Sequence, residues 1–227
     1  MDVETAFLNG NLEEEIYIFA PEGRQNETKY LRLQKALYGL KQAPRVWYIK
    51  LKKWLTANGW RISKYDQCIF IHESGSLILS VYVDDINIYG LEESQIMQFK
   101  EEILQHFNMS DAGQVAYYLG MQVEHTSAGI LIYQGTYAGQ ILSKYGYNYS
   151  ALAVIPLDLS AKITATTDSE LQTDKSAYLS RTGSLNWLAT KTRPDLAFPV
   201  SLVARYNANL TSRHVDAVGH VYRYLRN

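Results

Sequence analysis

The sequence has little cysteine and no long apolar run. Cys68 is the only cysteine among 227 residues, which excludes an internal disulfide and a zinc site built from several cysteines. No stretch approaches the roughly 18 apolar residues of a membrane span. The first ten residues, MDVETAFLNG, lack the basic flank and apolar run of a signal peptide. These absences predict an intracellular protein with no membrane partner.

An excess of one charge is also missing, and so is a histidine cluster. The chain has 22 basic and 23 acidic residues, a net charge of −1. Phosphate neutralisation supplies most of the affinity for nucleic acid, so this balance argues mildly against such a partner unless one face is locally basic. The five histidines show no metal-ligand spacing, and we expect His214 and His220 to lie on a helix surface or at an interface.

Residue patterns predict an α+β region followed by a mostly helical one. In residues 1–135, strand-like segments alternate with two amphipathic helices, at residues 43–59 and 92–107. Pro44 and Gly59 mark the ends of the first helix. Residues 136–227 have helical patterns at 137–145, 174–190, 194–206 and 211–226, with a break or kink expected at Pro199. A segment rich in Ala, Ser and Thr, about residues 151–173, is predicted to be a linker.

The stretch LSVYVDDINIYG, residues 79–90, alternates apolar and polar residues on both sides of two aspartates. This pattern predicts a β-hairpin with Asp84 and Asp85 at its tight turn. Two carboxylates a few ångströms apart repel by about 4 kcal/mol at an effective dielectric near 20. A cation between them relieves that repulsion, whereas side chains that splay into solvent need none. The motif alone leaves both explanations open.

Three stretches extend this interpretation. They are MDVETAFLNG at residues 1–10, LYGLKQAPRVWY at 37–48 and YVDD at 82–85, in that order. Together they resemble the reverse transcriptase of copia-type long-terminal-repeat retrotransposons, an RNA-directed DNA polymerase. Further matches extend the resemblance to nearly the whole chain, including YYLGMQV at 117–123 and GSLNWLATKTRPDLAF at 183–198. The resemblance implies a polymerase palm, an antiparallel sheet backed by helices, followed by a helical thumb or connection-like module.

The resemblance also implies a catalytic site. Asp2 matches the first catalytic aspartate of the family, and Asp84 and Asp85 match the pair at the hairpin tip. These carboxylates would hold two Mg²⁺ or Mn²⁺ ions, with the backbone carbonyl of Val3 as a further ligand. Two such ions stabilise the attacking and leaving oxygens of phosphoryl transfer together. The implied reaction is attack of a primer 3′-hydroxyl on the α-phosphate of a deoxynucleoside triphosphate.

Other positions match substrate-binding segments of the family. Phe7 matches the steric gate, a ring that excludes a 2′-hydroxyl, although an ordinary core phenylalanine has the same pattern. The segment expected to contact the incoming nucleotide comprises Tyr38, Gly39, Lys41 and Gln42, and Lys41 fits a solvated charge equally well. Tyr82, Leu119 and Gly120 are expected to contact the primer, the last two in what is otherwise a plain hairpin.

The implied partners are an RNA or DNA template-primer and deoxynucleoside triphosphates, in a cytoplasmic particle or the nucleus. Basic residues in the helical region fit either a duplex-binding face or a solvated surface. They are Lys191, Arg193, Arg205, Arg213, Arg223 and Arg226.

Two departures from the family pattern bear on activity. The fingers segment expected before Asp2 and the ribonuclease H domain expected after residue 227 are absent from the sequence. A fragment, a decayed element and a misplaced gene start all fit. We therefore expect the isolated chain to polymerise poorly or not at all. The alternative function is that of a non-catalytic remnant that binds nucleic acid or protein. An unrelated metal-dependent phosphohydrolase has the right carboxylates but would need a His or Glu cluster.

Overall fold

The computed structural model describes residues 1–24, 29–158, 163–164 and 174–227. The chain forms two compact units, Met1–Gln114 and Val115–Asn227. Across the described ranges, no helix combines the length and the apolar character needed to span a membrane. The division predicted from sequence, after residue 135, remains a prediction about folding units.

As far as the structure describes it, the first unit contains a six-stranded antiparallel sheet and two α-helices. The elements are β1 (Asp2–Val3), β2 (Tyr17–Phe19), β3 (Tyr30–Arg32), α1 (Ala43–Ala57), β4 (Trp60–Ile62), β5 (Ile69–His72), β6 (Leu77–Tyr82), β7 (Asp85–Gly90), α2 (Glu93–Leu104) and β8 (Met109–Ser110). The sheet has the strand order β4-β5-β6-β7-β1-β8, and a separate two-stranded ribbon is formed by β2 and β3.

Helix α1 forms where the apolar spacing predicted it. Its buried residues, Ala43, Trp47, Leu51 and Leu55, recur every four positions and form one stripe. Asn58 ends the helix, and Gly59 follows it with a φ of 80°, the left-handed conformation that glycine adopts most readily after a helix. The predicted C-terminal stop is thereby confirmed.

The core of the first unit lies between α1, α2 and one face of the sheet. Phe99 and Ile103 of α2 are buried. Phe107 is also buried, although α2 ends at Leu104 and the predicted helix extended to residue 107. The ring of Trp47 contacts Phe107 edge-on, with centroids 5.4 Å apart. This packing covers one face of the sheet and leaves the strand residues of the other face more exposed.

In its described residues, the second unit combines a small sheet with four α-helices. The elements are β9 (Tyr117–Tyr118), β10 (Met121–Thr126), β11 (Gly129–Tyr133), α3 (Gly135–Lys144), α4 (Lys175–Lys191), α5 (Ala197–Ala204) and α6 (Ser212–Leu225). The sheet has the order β11-β10-β9 and is antiparallel. The described part of the chain thus confirms a mixture of antiparallel strands and helices. Of the predicted linker, residues 159–162 and 165–173 lie outside the described ranges.

Pro199 is accommodated without a break inside a helix. A 3₁₀ turn, Pro194–Leu196, precedes α5, so the predicted helix over 194–206 is two shorter elements. Pro199 is the third residue of α5. The first N–H groups of a helix have no intrahelical partner, so a proline there removes no helical hydrogen bond.

His214 is buried in the second unit, with 1% of its surface exposed. It lies at the N-terminus of α6, where its ring accepts a hydrogen bond from the Thr211 backbone N–H (2.9 Å). The ring stacks on Tyr206 at 4.1 Å between centroids. Burial lowers the pKa of His214. The ring caps α6 and packs in the core. Of the two placements predicted for this residue, a helix surface or an interface, the surface one is wrong.

Candidate active site

The aspartate-bearing hairpin is formed by β6 and β7. Tyr82 pairs with Asp85, so the two-residue turn is Val83-Asp84 and Asp85 is the first residue of β7. The sequence predicted a turn at Asp84-Asp85, one residue further along. The observed pairing places Tyr82 and Asp85 side by side on the less buried face of the sheet.

Asp2 and Asp85 form a cross-strand pair between distant parts of the chain. Asp2 lies directly opposite Asp85 in the antiparallel pair β1–β7. The flanking hydrogen bonds run from Val3 N–H to the Asp84 carbonyl and from Ile86 N–H to the Met1 carbonyl, each 2.9 Å. This pattern identifies Asp2 and Asp85 as a non-hydrogen-bonded pair, in which Cα atoms lie about 4.5 Å apart and side chains approach closely. The backbone therefore brings Asp2, Asp84 and Asp85 together.

The carbonyl of Val3 faces the same hairpin. Val3 donates its N–H to Asp84, and the N–H and C=O of a residue in an antiparallel strand point to the same neighbouring strand. The Val3 side chain is buried. A backbone oxygen thus points toward the hairpin that carries Asp84 and Asp85.

Val83 has an unusual backbone conformation at the hairpin tip. Its φ is 58°, which is rare for a β-branched residue and costs about 1–3 kcal/mol. The Trp47 indole N–H donates to the Val83 carbonyl at 2.6 Å. With the Val3–Asp84 bond, this contact from α1 fixes the main chain of both turn residues.

The pKa of one of these carboxyl groups, Asp85, is raised. Partial burial is the largest cause that raises the pKa of Asp85, and the negative charges of Asp84 and Asp2 raise it further. Within the described ranges, no three His, Cys, Asp or Glu side chains converge on a point where they could enclose a metal ion. The backbone framework and oxygen-rich donor set suit a hard divalent cation, whereas the side chains as oriented do not close around one.

Phe7 and Tyr38 adjoin this group. Phe7 lies in a 3₁₀ turn, Ala6–Asn9, and is buried. Its ring contacts that of Tyr38 at 4.2 Å between centroids. The Tyr38 hydroxyl donates to the Asp84 Oδ2 atom at 2.9 Å. Burial and this hydrogen bond raise the pKa of Tyr38. The structure therefore brings Phe7 and Tyr38 into contact with each other and Tyr38 into contact with Asp84.

The remaining nucleotide-segment residues follow Tyr38 in the chain. Gly39 has a φ of 97°, a conformation that favours glycine. Lys41 is exposed, and Gln42 precedes the first turn of α1. Among the described residues, no hydrogen bond or ion pair links these three to the aspartates, and only their place in the sequence brings them near Tyr38.

The predicted primer-contact residues fall in both units. Tyr82 is exposed beside Asp85 in the first unit. Leu119 and Gly120 form the turn between β9 and β10 in the second unit, with Tyr118 paired to Met121. Their φ values are 48° and 81°, and a Cβ atom on Gly120 would lie 3.2 Å from the Trp187 ring.

Two contacts near the aspartates had no signal in the sequence. One is the hydrogen bond from the Trp47 indole N–H to Val83. The apolar stripe of α1 already accounts for a tryptophan at this position, so nothing in the sequence indicates the bond. The other is the Asn108 amide, which donates to Glu4 Oε2 at 2.6 Å and joins β1 to the segment before β8. Both link residues far apart in the chain, and neighbouring positions carry no pattern that predicts them.

Comparisons with known proteins identify the family of the chain. The family model described as Reverse transcriptase (RNA-dependent DNA polymerase) matches residues 1–158. The retrovirus-related Pol polyprotein from transposon TNT 1-94 of Nicotiana tabacum is 36% identical, over 100% of this chain and 18% of its own length. The corresponding polyprotein from transposon RE1 of Arabidopsis thaliana is 32% identical, over 99% of this chain and 16% of its own length.

A shorter relative matches along most of its length. The putative transposon Ty5-1 protein of Saccharomyces cerevisiae is 32% identical, and the alignment covers 99% of this chain and 75% of that protein. No solved structure matches the chain. This chain spans less than a fifth of the two plant polyproteins. The family match and these relatives show that the chain belongs to the reverse transcriptase (RNA-dependent DNA polymerase) family, in the form found in Pol polyproteins of copia-type transposons.

Proposed function

We propose that the first unit is the palm of an RNA-directed DNA polymerase and that Asp2, Asp84 and Asp85 are its catalytic residues. The observation that carries the proposal is the register of β1 against β7. It places Asp2 opposite Asp85 and ties the backbone of Val3 to Asp84. Three carboxylates from two distant segments then share one end of the sheet, where their negative charges repel one another.

These residues fit two divalent ions, Mg²⁺ or Mn²⁺. The carboxylates and the Val3 carbonyl supply only oxygen donors, which is the ligand type such ions prefer. When bound, a two-ion site neutralises charge on the attacking and leaving oxygens of nucleotidyl transfer to a primer 3′-hydroxyl. Burial first, and then the negative charges of Asp84 and Asp2, raise the pKa of Asp85. A cation bound here would offset the part that comes from these neighbouring charges.

Neighbouring residues are proposed to position the nucleotide and the primer. The buried ring of Phe7, held against Tyr38, serves as the steric gate that leaves no room for a 2′-hydroxyl. The segment Tyr38, Gly39, Lys41 and Gln42 contacts the incoming deoxynucleoside triphosphate. Tyr82 and the turn Leu119-Gly120 contact the primer, and the helices of the second unit serve as a thumb or connection-like module. The partners would be an RNA or DNA template-primer inside the cell.

The proposal is tested by measuring the binding of Mn²⁺ to the chain with electron paramagnetic resonance. We expect Asp84→Ala, Asp85→Ala and Asp2→Ala each to weaken binding by about tenfold or more, the loss of one charged ligand. Asp66→Ala is the matched control, because Asp66 is an aspartate of the same unit whose carboxylate accepts from Cys68 N–H. Unchanged binding in all three variants would refute the metal site.

Primer extension on an RNA template is the functional measurement. We expect weak extension by the isolated chain, dependent on Mg²⁺ or Mn²⁺. Any product should disappear in Asp84→Asn, which preserves the size of the side chain and removes its charge. Metal-dependent extension that survives in Asp84→Asn would contradict the assignment of the catalytic residues, even if metal binding were confirmed.

A further inference from the structure

Tyr38 connects two parts of the candidate site that the family pattern treats separately. Its ring rests on Phe7, with centroids 4.2 Å apart. Its hydroxyl donates to Asp84 Oδ2 at 2.9 Å. Tyr38 and Asp84 are 46 positions apart in the chain, so the contact is a tertiary one.

The main chain of Asp84 is already fixed without Tyr38. Its carbonyl accepts from Val3 N–H at 2.9 Å, and the preceding carbonyl, of Val83, accepts from Trp47. The remaining freedom of Asp84 is rotation of its side chain. A hydrogen bond from Tyr38 therefore selects one orientation of the carboxylate.

The selected orientation is not one that encloses a cation. In the portion of the chain that the structure describes, Asp2, Asp84 and Asp85 do not converge as a three-ligand group. The donated proton also places positive charge against a carboxylate oxygen that is otherwise available to a cation. The Tyr38 hydroxyl and a divalent ion thus compete for the same anionic group.

We propose that Tyr38 is a positioning residue that holds the Asp84 carboxylate in its metal-free orientation, so that a divalent ion binds only against this hydrogen bond. The inference rests on the proposed metal site of Asp2, Asp84 and Asp85. Tyr38 is 57% exposed, so moving its hydroxyl away from Asp84 disturbs little core packing. Because Tyr38 belongs to the segment proposed to contact the nucleotide, a metal ion that displaces its hydroxyl from Asp84 also affects that segment.

The test is Mn²⁺ affinity of the full chain, measured for wild type and Tyr38→Phe by electron paramagnetic resonance in the absence of nucleotide. Removal of the hydroxyl keeps the ring on Phe7 and deletes only the bond to Asp84. We expect Tyr38→Phe to bind Mn²⁺ about five- to tenfold more tightly, the effect of one exposed hydrogen bond to a charged group.

Tyr48→Phe is the matched control. Tyr48 is a tyrosine of the same unit whose hydroxyl donates to the Gln67 carbonyl at 2.9 Å, and its loss should leave Mn²⁺ affinity unchanged. The far-ultraviolet circular dichroism and unfolding midpoint of both variants show whether each has retained its fold. A gain in affinity confined to Tyr38→Phe supports the positioning role.

The other outcomes separate this inference from the proposed function. Equal or weaker Mn²⁺ binding by Tyr38→Phe, with binding by wild type lost in Asp84→Ala, overturns the role of Tyr38 and leaves the metal site intact. Binding by Tyr38→Phe alone, with none by wild type, supports the role of Tyr38. No binding by either protein overturns both proposals.

Discussion

Each unit of the chain contains a hairpin with a two-residue turn, and the two turns are stabilised differently. In the second unit, Leu119 and Gly120 have φ values of 48° and 81°, and glycine occupies one of the two positive-φ positions, as tight hairpins favour. In the first unit, Val83 has a φ of 58° although a β-branched residue disfavours it. Its carbonyl is held by Trp47 and that of Asp84 by Val3.

The comparison shows two ways to build a tight turn. In the Leu119-Gly120 turn, one of the two turn residues is itself a glycine, which adopts a positive φ with little strain. The Val83-Asp84 turn depends on contacts from α1 and β1, which also set the positions of the aspartates. Strained backbone is frequent at functional sites where the surrounding structure enforces it, and the hairpin that carries Asp84 and Asp85 fits that description.

The largest expected effect comes from removing the contact of α1 with the first turn. Trp47→Ala should destabilise the first unit by about 3–5 kcal/mol, since it empties a buried site and removes the donor to Val83. Trp47→Phe retains most of the volume and should cost about 1–3 kcal/mol for the unsatisfied carbonyl. Urea unfolding measures both.

Trp54→Phe on the same helix is the control, because the Trp54 ring contacts Phe99 and Phe107 and is not bonded to the hairpin. It should cost less than Trp47→Phe. Equal costs for the two Trp→Phe variants would show that the indole bond does not stabilise the turn.

An alanine at position 120 tests the second turn. Gly120→Ala should destabilise the second unit by about 1–3 kcal/mol, because the residue must hold a φ of 81° and its Cβ would crowd Trp187 at 3.2 Å. Gly146→Ala is matched in φ, at 79°, and has no atom within 4 Å of the new Cβ. The excess cost of Gly120→Ala, read from thermal or urea unfolding, isolates the crowding. A larger cost for Gly146→Ala would contradict this account.

Replacing a non-glycine residue by glycine in the first turn should stabilise the first unit. Val83→Gly removes strain of about 1–3 kcal/mol and adds the entropy cost of glycine, about 0.5–1 kcal/mol. After loss of some side-chain packing, a net gain of about 0.5–1 kcal/mol in the free energy of unfolding is expected. A clear loss of stability in Val83→Gly would mean that the valine is not strained at this position.

The smallest expected effect concerns charge on the first hairpin. The folded pKa of Asp85 lies above its unfolded value, about 3.9, so the folded state is penalised when this carboxyl ionises. The protonated carboxyl of Asp85 favours the folded state at low pH, and this contribution to stability is lost as the pH rises through the folded pKa. Asp85→Asn should therefore stabilise the first unit at pH 7, by about 0.5 kcal/mol after solvent screening, and have no effect below about pH 3.5.

Asp111 provides the opposite case in the same unit. A hydrogen bond from Lys100, with the Gly113 backbone N–H, lowers the pKa of Asp111. Its contribution to stability is present above the unfolded pKa and lost as pH falls through the folded one. Asp111→Asn should destabilise the unit at pH 7. Effects of the same sign for the two variants across a pH series of urea unfolding would refute the assigned causes.

Local elements followed from the sequence because each depends on neighbouring residues. The four-residue recurrence of apolar side chains predicted α1, and glycine at position 59 predicted its end. Alternation predicted the β6–β7 hairpin. His214 shows where such patterns fail, because its ring is buried by tertiary packing against Tyr206 that no neighbouring position indicates.

The position of the turn is the clearest case of information the sequence lacked. A turn at Val83-Asp84 and one at Asp84-Asp85 both leave Leu79, Val81, Ile86 and Ile88 on one face, because the two registers differ by an even number of residues. Alternation is therefore the same for both. Hydrogen bonds from Trp47 and Val3 to the turn carbonyls favour the observed register.

The sequence by itself determined the approximate positions of the helices and hairpins and, through ordered motifs, the family. Only the tertiary structure decided that Asp2 lies opposite Asp85 and that Tyr38 bonds to Asp84. The physical reason is range. Periodicity and turn preferences act within a few residues, whereas these contacts join segments 83 and 46 positions apart, whose pairing depends on how α1, β1 and β7 pack together.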